Sequence, residues 1–455
     1  MSGFEPVCYK EYKDSGEGWL KEVPEHWKAK RIKELVLSFE QGWSPNAADW
    51  CADEGDFGVL KLSAISNGMF YELNNKSLEI DKLPQNTLLA KKGSVLISRS
   101  NTPALVADSC LVRKTPYTSL VVPDLVFCLT FNLKTVEPEF MSYALNSSSF
   151  RWLKTVSARG LNDSMVKVSQ KIVKNWTVFI PPILEQAGIA TYLNIKTKQI
   201  DCNIEQLSKK IEQYGKLKQS LINETITCGL DKSESMKDSG IEWIEEIPKR
   251  WDVKRLKDVA IMRTGNSLND TLKEKFSDKT IENNPYVATK DIDLATCSAN
   301  INNGVYIPIS ESKYKVTPSY STLLCIEGGS AGKKMTFVKQ PVCYVNKLLC
   351  FSNNSKVDSL FLHYFIRSFP FVSKFNTCLT GLKDGYWGVS GPQISRFRVP
   401  VPPLVEQQKI AAYLDEKTSK IDRIVEAVNS QINNLKELRK VLINDVVTGK
   451  IKVVE

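Results

Sequence analysis

The segment PPILEQAGIATYL at residues 181–193 recurs as PPLVEQQKIAAYL at residues 402–414, at an offset of 221 positions. Each Pro-Pro pair follows an apolar run. Because proline lacks the N–H that a strand ladder needs, we expect a strand to end there. An acidic side chain suits the positive end of a helix dipole, so a helix is expected to begin near the glutamate. The repeated segment therefore predicts a strand followed by a helix, twice in the chain.

A second repeated segment lies earlier in each copy. Residues 14–31 and 238–255 share an Asp-Ser-Gly triplet, two tryptophans, a proline and a Lys-Arg pair at an offset of 224. Between the repeated segments, residues 37–150 and 261–370 show little likeness. The chain thus carries one frame twice with a different insert in each copy. This arrangement is expected for a protein that recognises two different things at a fixed separation.

The helices predicted after the Pro-Pro pairs carry two interleaved apolar rows, each with a spacing of seven residues, over four heptads. A coiled-coil seam has this pattern, whereas a helix lying on its own domain would have a broader apolar stripe. We expect helices near residues 186–226 and 407–447 that pack on each other. The residues predicted to pair them are Leu193, Ile200, Ile204, Leu207, Ile211 and Leu221 with Leu414, Ile421, Val425, Val428, Ile432 and Leu442.

The inserts have the pattern of mixed β structure with some helix. Strands are expected at 94–98, 118–122, 125–131, 322–326 and 342–345, and short amphipathic helices at 140–153 and 359–373. Late in each insert, a polar segment that contains glycine matches between the copies, at 159–164 and 380–385. This segment is either a tight turn or an exposed loop that enters a groove.

Composition excludes several classes of protein. The 455 residues, 42% hydrophobic and 25% charged, are typical of a globular protein of two to four domains. With no apolar run of 18 residues and no signal-peptide pattern, a cytoplasmic location without membrane spans is expected. Eleven cysteines without a C-x-x-C motif are expected to be reduced thiols. With only two histidines, a His-dependent metal site or a Ser-His triad is nearly excluded.

Two segments resemble enzyme motifs but depart from them. In the Gly-rich segment 327–334 the glycines are one residue too close for a phosphate loop, and Lys334 replaces the Ser or Thr that would hold magnesium. The Asn-Asn-Pro-Tyr segment at 283–286 has Asn where the Asn-Pro-Pro-Tyr motif of amino-methyltransferases has its first Pro. No Gly-rich cofactor loop follows a strand nearby. The sequence therefore predicts no catalytic residue and no metal site.

The charge of the chain is compatible with a nucleic-acid partner. The formal net charge is +10. Lys and Arg bind polyanions because they displace counterions from phosphates. A basic surface that serves only solubility would give the same net charge, so charge alone does not identify the partner.

The repeated segments resemble those of the specificity (S) subunit of Type I restriction-modification systems. That family shows an opening like Tyr12-Lys13-Asp14-Ser15-Gly16 with Trp19, Pro24 and Trp27, and an exit like Pro181-Pro182-x-x-Glu185-Gln186 that leads into a long helix. Both motifs occur twice and in order, so the resemblance covers essentially the whole chain. The inserts match only in general pattern, as expected for target recognition domains.

The resemblance implies an α+β fold in which two α/β target recognition domains are separated by two long helices that form an antiparallel coiled coil with pseudo-two-fold symmetry. The implied domains are residues 1–182 (first target recognition domain), 183–232 (central conserved helices), 233–403 (second target recognition domain) and 404–455 (C-terminal conserved helices). Each target recognition domain would recognise one half of a split site in double-stranded DNA, and the helices would set the spacing.

The resemblance also implies partners. Two modification (M) subunits would dock on the helices and carry out S-adenosylmethionine chemistry, and restriction (R) subunits would add ATP- and magnesium-dependent translocation and cleavage. The S subunit itself would catalyse nothing and hold no cofactor. We expect docking on the outer helix faces and on the helix starts at Glu185-Gln186 and Glu406-Gln407, because these parts are repeated most closely.

Candidate DNA contacts follow from side-chain chemistry, since Arg and Lys suit guanine edges or phosphates and Asn suits adenine. For Trp387, packing in the core is an equal alternative. The candidates are Arg99, Asn101, Arg159 and Asn162 in the first insert, and Lys333, Lys334, Lys383, Tyr386 and Trp387 in the second. Two other functions stay open: a stand-alone regulatory or structural DNA-binding protein, and a self-contained DNA methyltransferase or nuclease, which the missing motifs disfavour.

Overall fold

The computed structural model describes residues 7–66, 68–78, 87–162, 165–277, 282–381 and 387–453, without the side chains of 159–162. The chain divides into two compact units: Met1–Gln206 with Gln431–Glu455, and Leu207–Ser430. Each unit therefore contains one opening segment, one insert, the first half of the helix that follows this insert and the last half of the other long helix.

The first unit begins with a hairpin and ends in a long helix. Its elements are β1 (Tyr12–Glu17), β2 (Leu20–Pro24), β3 (Lys28–Arg31), α1 (Ile32–Leu35), β4 (Val36–Gln41), β5 (Phe57–Leu60), β6 (Ile65–Ser66), β7 (Met69–Phe70), β8 (Asn75–Ser77), β9 (Val95–Ser98), β10 (Ser100–Asn101), β11 (Ser109–Leu111), β12 (Ser119–Val121), β13 (Val126–Phe131), α2 (Pro138–Leu145), α3 (Ser148–Ser157), β14 (Arg159–Asn162), β15 (Met165–Lys167), α4 (Gln170–Lys174), β16 (Thr177–Ile180) and α5 (Ile183–Cys228).

The second unit follows the same plan. Its elements are β17 (Met236–Ile241), β18 (Ile244–Pro248), β19 (Asp252–Arg255), α6 (Leu256–Val259), β20 (Ala260–Thr264), α7 (Asp270–Lys275), β21 (Asn283–Val287), β22 (Tyr306–Pro308), β23 (Ser321–Cys325), β24 (Met335–Val338), β25 (Cys343–Tyr344), β26 (Leu348–Asn353), α8 (Ser359–Arg367), α9 (Phe369–Thr377), β27 (Thr380–Gly381), β28 (Trp387–Gly388), α10 (Gly391–Ile394), β29 (Arg398–Val401) and α11 (Leu404–Val447).

The Asp-Ser-Gly triplet forms the bend of each opening hairpin. The Asp14 carboxylate accepts the N–H of Gly16 at 2.9 Å, and Asp238 accepts that of Gly240 at 2.8 Å. Both glycines have positive φ, 71° and 63°, a conformation that other residues adopt only with strain. The register of β1 with β2, and of β17 with β18, shifts at this point. The triplet therefore recurs because it makes the bulged turn.

The two inserts share one strand topology. In the first, a four-stranded sheet has the order β11-β9-β13-β4 and a three-stranded sheet the order β12-β5-β8. In the second, the corresponding orders are β24-β23-β26-β20 and β25-β21-β22. The central strand of each three-stranded sheet is parallel to one neighbour and antiparallel to the other. The inserts thus have the same framework although their sequences differ.

Two glycines mark the same chain crossing in both inserts. A Cβ on Gly42 would lie 1.7 Å from the carbonyl oxygen of Val122, and a Cβ on Gly265 would lie 1.8 Å from that of Tyr344. The residue after each glycine donates its backbone N–H to the same carbonyl, at 3.1 and 2.8 Å. Only glycine allows so close an approach of two backbones.

The predicted strands of the inserts correspond to β9, β12, β13, β23 and β25, whereas the predicted helices need correction. The helix expected at 140–153 is two helices, α2 and α3, and the helix expected at 359–373 is α8 and α9. Ser147 accepts the N–H of Phe150 at 3.3 Å and so starts a new helix. Pro370 lies in the first turn of α9, where its missing N–H is tolerated.

The long helices run antiparallel within each unit, as predicted. In the first unit Asp201 of α5 forms an ion pair with Arg439 of α11 at 3.0 Å, and Leu193 shares a core with Val446. In the second unit Lys218 of α5 pairs with an aspartate of α11 at 2.6 Å. The predicted pairing residues are all buried or half-buried: Leu193, Ile200, Ile204, Ile432 and Leu442 in the first unit, and Leu207, Ile211, Leu221, Leu414, Ile421, Val425 and Val428 in the second. In the described ranges, no helix has the length and apolarity needed to span a membrane.

Candidate nucleic-acid interface and the frame that holds it

A buried glutamine at the start of each long helix joins the helix to its insert. The Gln186 amide oxygen accepts the N–H of Glu137, the residue that precedes α2, at 2.9 Å. Its amide nitrogen donates to the carbonyls of Thr135 and Pro181 at 3.0 and 2.9 Å. Gln407 likewise accepts the N–H of Asp358, before α8, at 2.7 Å. Neither glutamine is available for docking, so this part of the sequence-based expectation is wrong.

The neighbouring glutamate joins the helix to the opening segment. Glu185 accepts the indole N–H of Trp27 at 3.1 Å, and Glu406 accepts that of Trp251 at the same distance. Both tryptophans are fully buried in the cores of their units. Tyr9 also donates to Glu185, at 2.7 Å, and burial together with this carboxylate raises the pKa of its phenol. The Trp and Glu of the two sequence motifs therefore recur because they bond to each other.

A tyrosine on the first helix after each main sheet makes a third contact with the long helix. Tyr143 of α2 donates to the Asn194 side chain at 2.7 Å. Tyr364 of α8 lies 3.0 Å from the Thr418 hydroxyl, and burial raises the pKa of its phenol to about 12. These contacts hold the short helices of the insert on the first half of the long helix.

The last half of the other long helix contacts the same insert. Asn444 of α11 accepts the N–H of Ser149 at 2.9 Å, and Asn223 of α5 accepts the N–H of Phe369 at 2.8 Å. Ser149 and Phe369 lie at the starts of α3 and α9, where backbone N–H groups lack partners within the helix. Each insert is thus anchored to both long helices. Sequence reasoning missed these anchors, whose only signal was the recurrence of an asparagine at the offset of 221.

The candidate contacts of the first insert come together on one small sheet of order β10-β15-β14. Asn101 lies in β10, and Arg159 and Asn162 lie in β14, both paired with the shared neighbour β15. Arg99, half-buried, directly precedes β10. Of the polar segment expected to be a turn or loop, residues 159–162 therefore form a strand that pairs with β15. The side chains of Arg159 and Asn162 lie outside the described residues.

In the second insert, the candidates Lys333 and Lys334 lie in the loop between β23 and β24, which lies against the hairpin β27–β28. Trp387 in β28 is 65% exposed, so the alternative of core packing is wrong. Its carbonyl accepts the N–H of Gly328 at 2.8 Å. This bond brings the loop that carries Lys333 and Lys334 next to β28, and Lys333 is exposed there. The candidates Lys383 and Tyr386 lie outside the described residues.

The segments that resemble enzyme motifs have other structures. The Gly-rich segment 327–334 connects β23 to β24, whereas a phosphate loop leads into a helix whose N-terminus faces the phosphate. The Lys334 amine donates instead to the Thr289 carbonyl at 3.0 Å. Tyr286 of the Asn-Asn-Pro-Tyr segment is buried in β21 and donates to the Asn266 carbonyl at 2.9 Å. Both segments therefore differ in structure from the motifs that they resemble in sequence.

The fold and its two hairpins define a protein with two recognition modules on a shared pair of helices. Within that class, the chain belongs to the family of Type I restriction modification DNA specificity domains, whose model matches residues 24–213 and 248–434. The two matched ranges contain the two frames and their inserts. The chain is therefore a specificity subunit with two target recognition domains.

Similar proteins span nearly the whole chain. The putative type I restriction enzyme MjaX specificity subunit of Methanocaldococcus jannaschii is 23% identical over 95% of each chain. A solved chain of a type I restriction-modification system matches with a TM-score of 0.71 and 17% identity, over 94% of this chain and 99% of that one. The HsdS subunit from Thermoanaerobacter tengcongensis matches with a TM-score of 0.52 and 18% identity, over 94% and 98%. These likenesses show a shared fold.

The buried glutamines allow a test of the frame. We expect Gln186→Ala to lower the free energy of unfolding by about 1–3 kcal/mol, because it leaves buried backbone groups without partners. Gln407→Ala should have a similar effect, whereas Gln408→Ala, at the exposed next position, should have almost none. Denaturant titration of the three variants measures this. Equal stability of the Gln407 and Gln408 variants would contradict the assigned role.

Proposed function

We propose that each target recognition domain of this chain recognises one half of a bipartite double-stranded DNA site, and that the paired helices set the spacing between the halves. The observation that carries this proposal is that the two inserts repeat one framework but differ in the sequence of one hairpin. These recognition hairpins are β14–β15 in the first insert and β27–β28 in the second. Both inserts have the same sheet order and the same anchors on the helices. Since base contacts determine sequence specificity, different side chains on equal frameworks would recognise different half-sites.

We also propose that two modification subunits dock on equivalent helix positions. Leu184 and Val405, which match at the offset of 221, are 84% and 64% exposed. Leu217 and Leu438 match at the same offset and are both 53% exposed. An exposed apolar side chain alone is ordinary, but its recurrence at matched positions on two helices supports two equal docking surfaces. Restriction subunits would join through this modification complex.

Methyl transfer, translocation and cleavage are assigned to the modification and restriction subunits. The non-catalytic role of this chain is supported by the two segments that resemble enzyme motifs, because both differ in structure from those motifs. S-adenosylmethionine, ATP and magnesium would bind to the modification and restriction subunits. A self-contained methyltransferase or nuclease is therefore disfavoured. A stand-alone DNA-binding regulator is the remaining alternative, and co-purification with a methyltransferase subunit would exclude it.

Exchange of one insert tests the independence of the two domains. We expect that replacing residues 260–396 with the corresponding insert of a relative changes one half of the methylated sequence and leaves the other unchanged. The reason is that each insert has its own sheets and its own hairpin. Methylation mapping of DNA from cells that carry the chimera and its modification subunit measures this. A change in both halves would contradict independent recognition.

Lengthening the helices tests their role in spacing. Four residues inserted after Gln206 in α5 and four after Ser430 in α11 add about one turn, roughly 6 Å, to each helix. We expect a longer gap between unchanged half-sites, again measured by methylation mapping. The control is an insertion of the same length in the polar linker at 229–235, which should leave the gap unaltered. An unchanged gap in the helix variant would exclude the helices as the spacer.

The partner assignment predicts a defined composition. Native mass spectrometry of the co-expressed proteins should show two modification subunits per chain, because the docking positions occur twice. The purified chain with S-adenosylmethionine and DNA should transfer no methyl group. A complex that stays one-to-one at saturating modification subunit would contradict the docking proposal. Methyl transfer by the chain alone would overturn the non-catalytic role.

A further inference from the structure

An open crevice of about 400 Å³ lies in the second unit, beside the turn of its opening hairpin. The hairpin turn at 240–243, the end of α9 and the segment from α10 into β29 form its walls. Three of the side chains that line it are cationic: Lys374, Arg396 and Arg398. Among the described residues that line it, Glu242 is the one carboxylate, so positive charge is in excess there.

The three cations are held differently. Arg398 donates to the Gly240 carbonyl at 2.9 Å, which fixes its guanidinium at the crevice wall. The Lys374 amine lies 3.5 Å from the carboxylate of Glu242, whose side chain is 87% exposed. An ion pair at this distance with so exposed a carboxylate is weak, so another anion can replace Glu242. The Arg396 guanidinium is exposed and has no partner within the described part of the chain.

The frame itself does not need these charges. At the offset of 221, the first copy has Leu153, Asn175 and Thr177 where the second has its three cations. Leu153 packs against the core of its unit, and the Asn175 amide donates to a carbonyl of α4. The same fold therefore forms with neutral residues at all three positions. A feature present in only one copy points to a task of that copy.

The crevice adjoins the recognition hairpin of the second insert. Cys378, in its wall, comes two residues before β27, and β27 pairs with β28, which carries the exposed Trp387. A DNA segment in contact with this hairpin would bring its backbone close to the base of the hairpin. Phosphates are bound by guanidinium and ammonium groups through charge-assisted hydrogen bonds.

We propose that this crevice binds a backbone phosphate beside the second half-site, with Arg396 and Arg398 as hydrogen-bond donors and Lys374 as a further cation. The inference rests on the proposed DNA recognition by the second insert. A free phosphate ion has the same chemistry, so the experiment must separate the two sources. The contact adds affinity without sequence information, because all nucleotides have the same phosphate.

The test is the salt dependence of DNA binding by the complex of this chain with its modification subunits. The double variant Lys374→Gln with Arg396→Gln leaves Arg398 in place, since Arg398 also supports the hairpin turn. Its matched control is Lys339→Gln with Lys356→Gln, which removes the same charge from exposed positions of the same insert. The plot of log affinity against log salt should become shallower by roughly 0.9 for each lost phosphate contact, and only in the first variant.

The sequence that the complex methylates should be identical for wild type and both variants. A slope equal to that of the control variant would overturn the phosphate site while leaving the proposed function intact. Absence of sequence-specific binding by the wild-type complex would instead refute the proposed function. Inorganic phosphate, titrated into the DNA-free complex by calorimetry, tests the other source. Binding of that ion with an unchanged DNA slope would assign the crevice to a small anion and overturn the inference.

Discussion

The structure depends on the paired acid and amide at the start of each long helix. Gln186 lies at the start of a long helix, and its amide bonds to the backbone of Pro181, just after the preceding strand, and to the backbone of Thr135 and Glu137 in the insert. The adjacent Glu185 accepts the indole of a buried tryptophan from the opening segment. A buried backbone group without a partner is costly, so few other side chains can fill this position. Two neighbouring residues thus hold together parts of the chain that are far apart in sequence.

The repeated frame could be predicted because its signals are local. The Pro-Pro pair and the heptad rows each concern residues close in sequence, and the structure places strand ends and helices there. The anchor from Asn444 to Ser149 spans 295 positions, and no local pattern reports it. The break between α2 and α3 was also missed, because apolar periodicity continues across the cap at Ser147.

The candidate site was harder to predict, because surface and interior lysines look alike in sequence. Lys154, in the first insert, is fully buried, and its amine donates to the Ser109 hydroxyl at 3.1 Å. Burial holds its pKa well below the ordinary value, and the second copy has Phe375 at the matched position. Conversely Trp387, for which the core was an equal alternative, is exposed. Only the fold separates a side chain that packs from one that faces a ligand.

The two copies show where such a protein is free to change. Side chains that bond across elements, such as Trp27 with Glu185, recur as Trp251 with Glu406 because a change in one partner alone leaves a polar group unpaired. Exposed substitutions usually alter stability by less than about 0.5 kcal/mol, so the surfaces of the inserts can diverge at little cost. The shared strand order of the inserts follows from the same rule, since burial needs apolar residues of suitable size rather than particular identities. Recognition can therefore change in one copy while the frame and the other copy stay as they are.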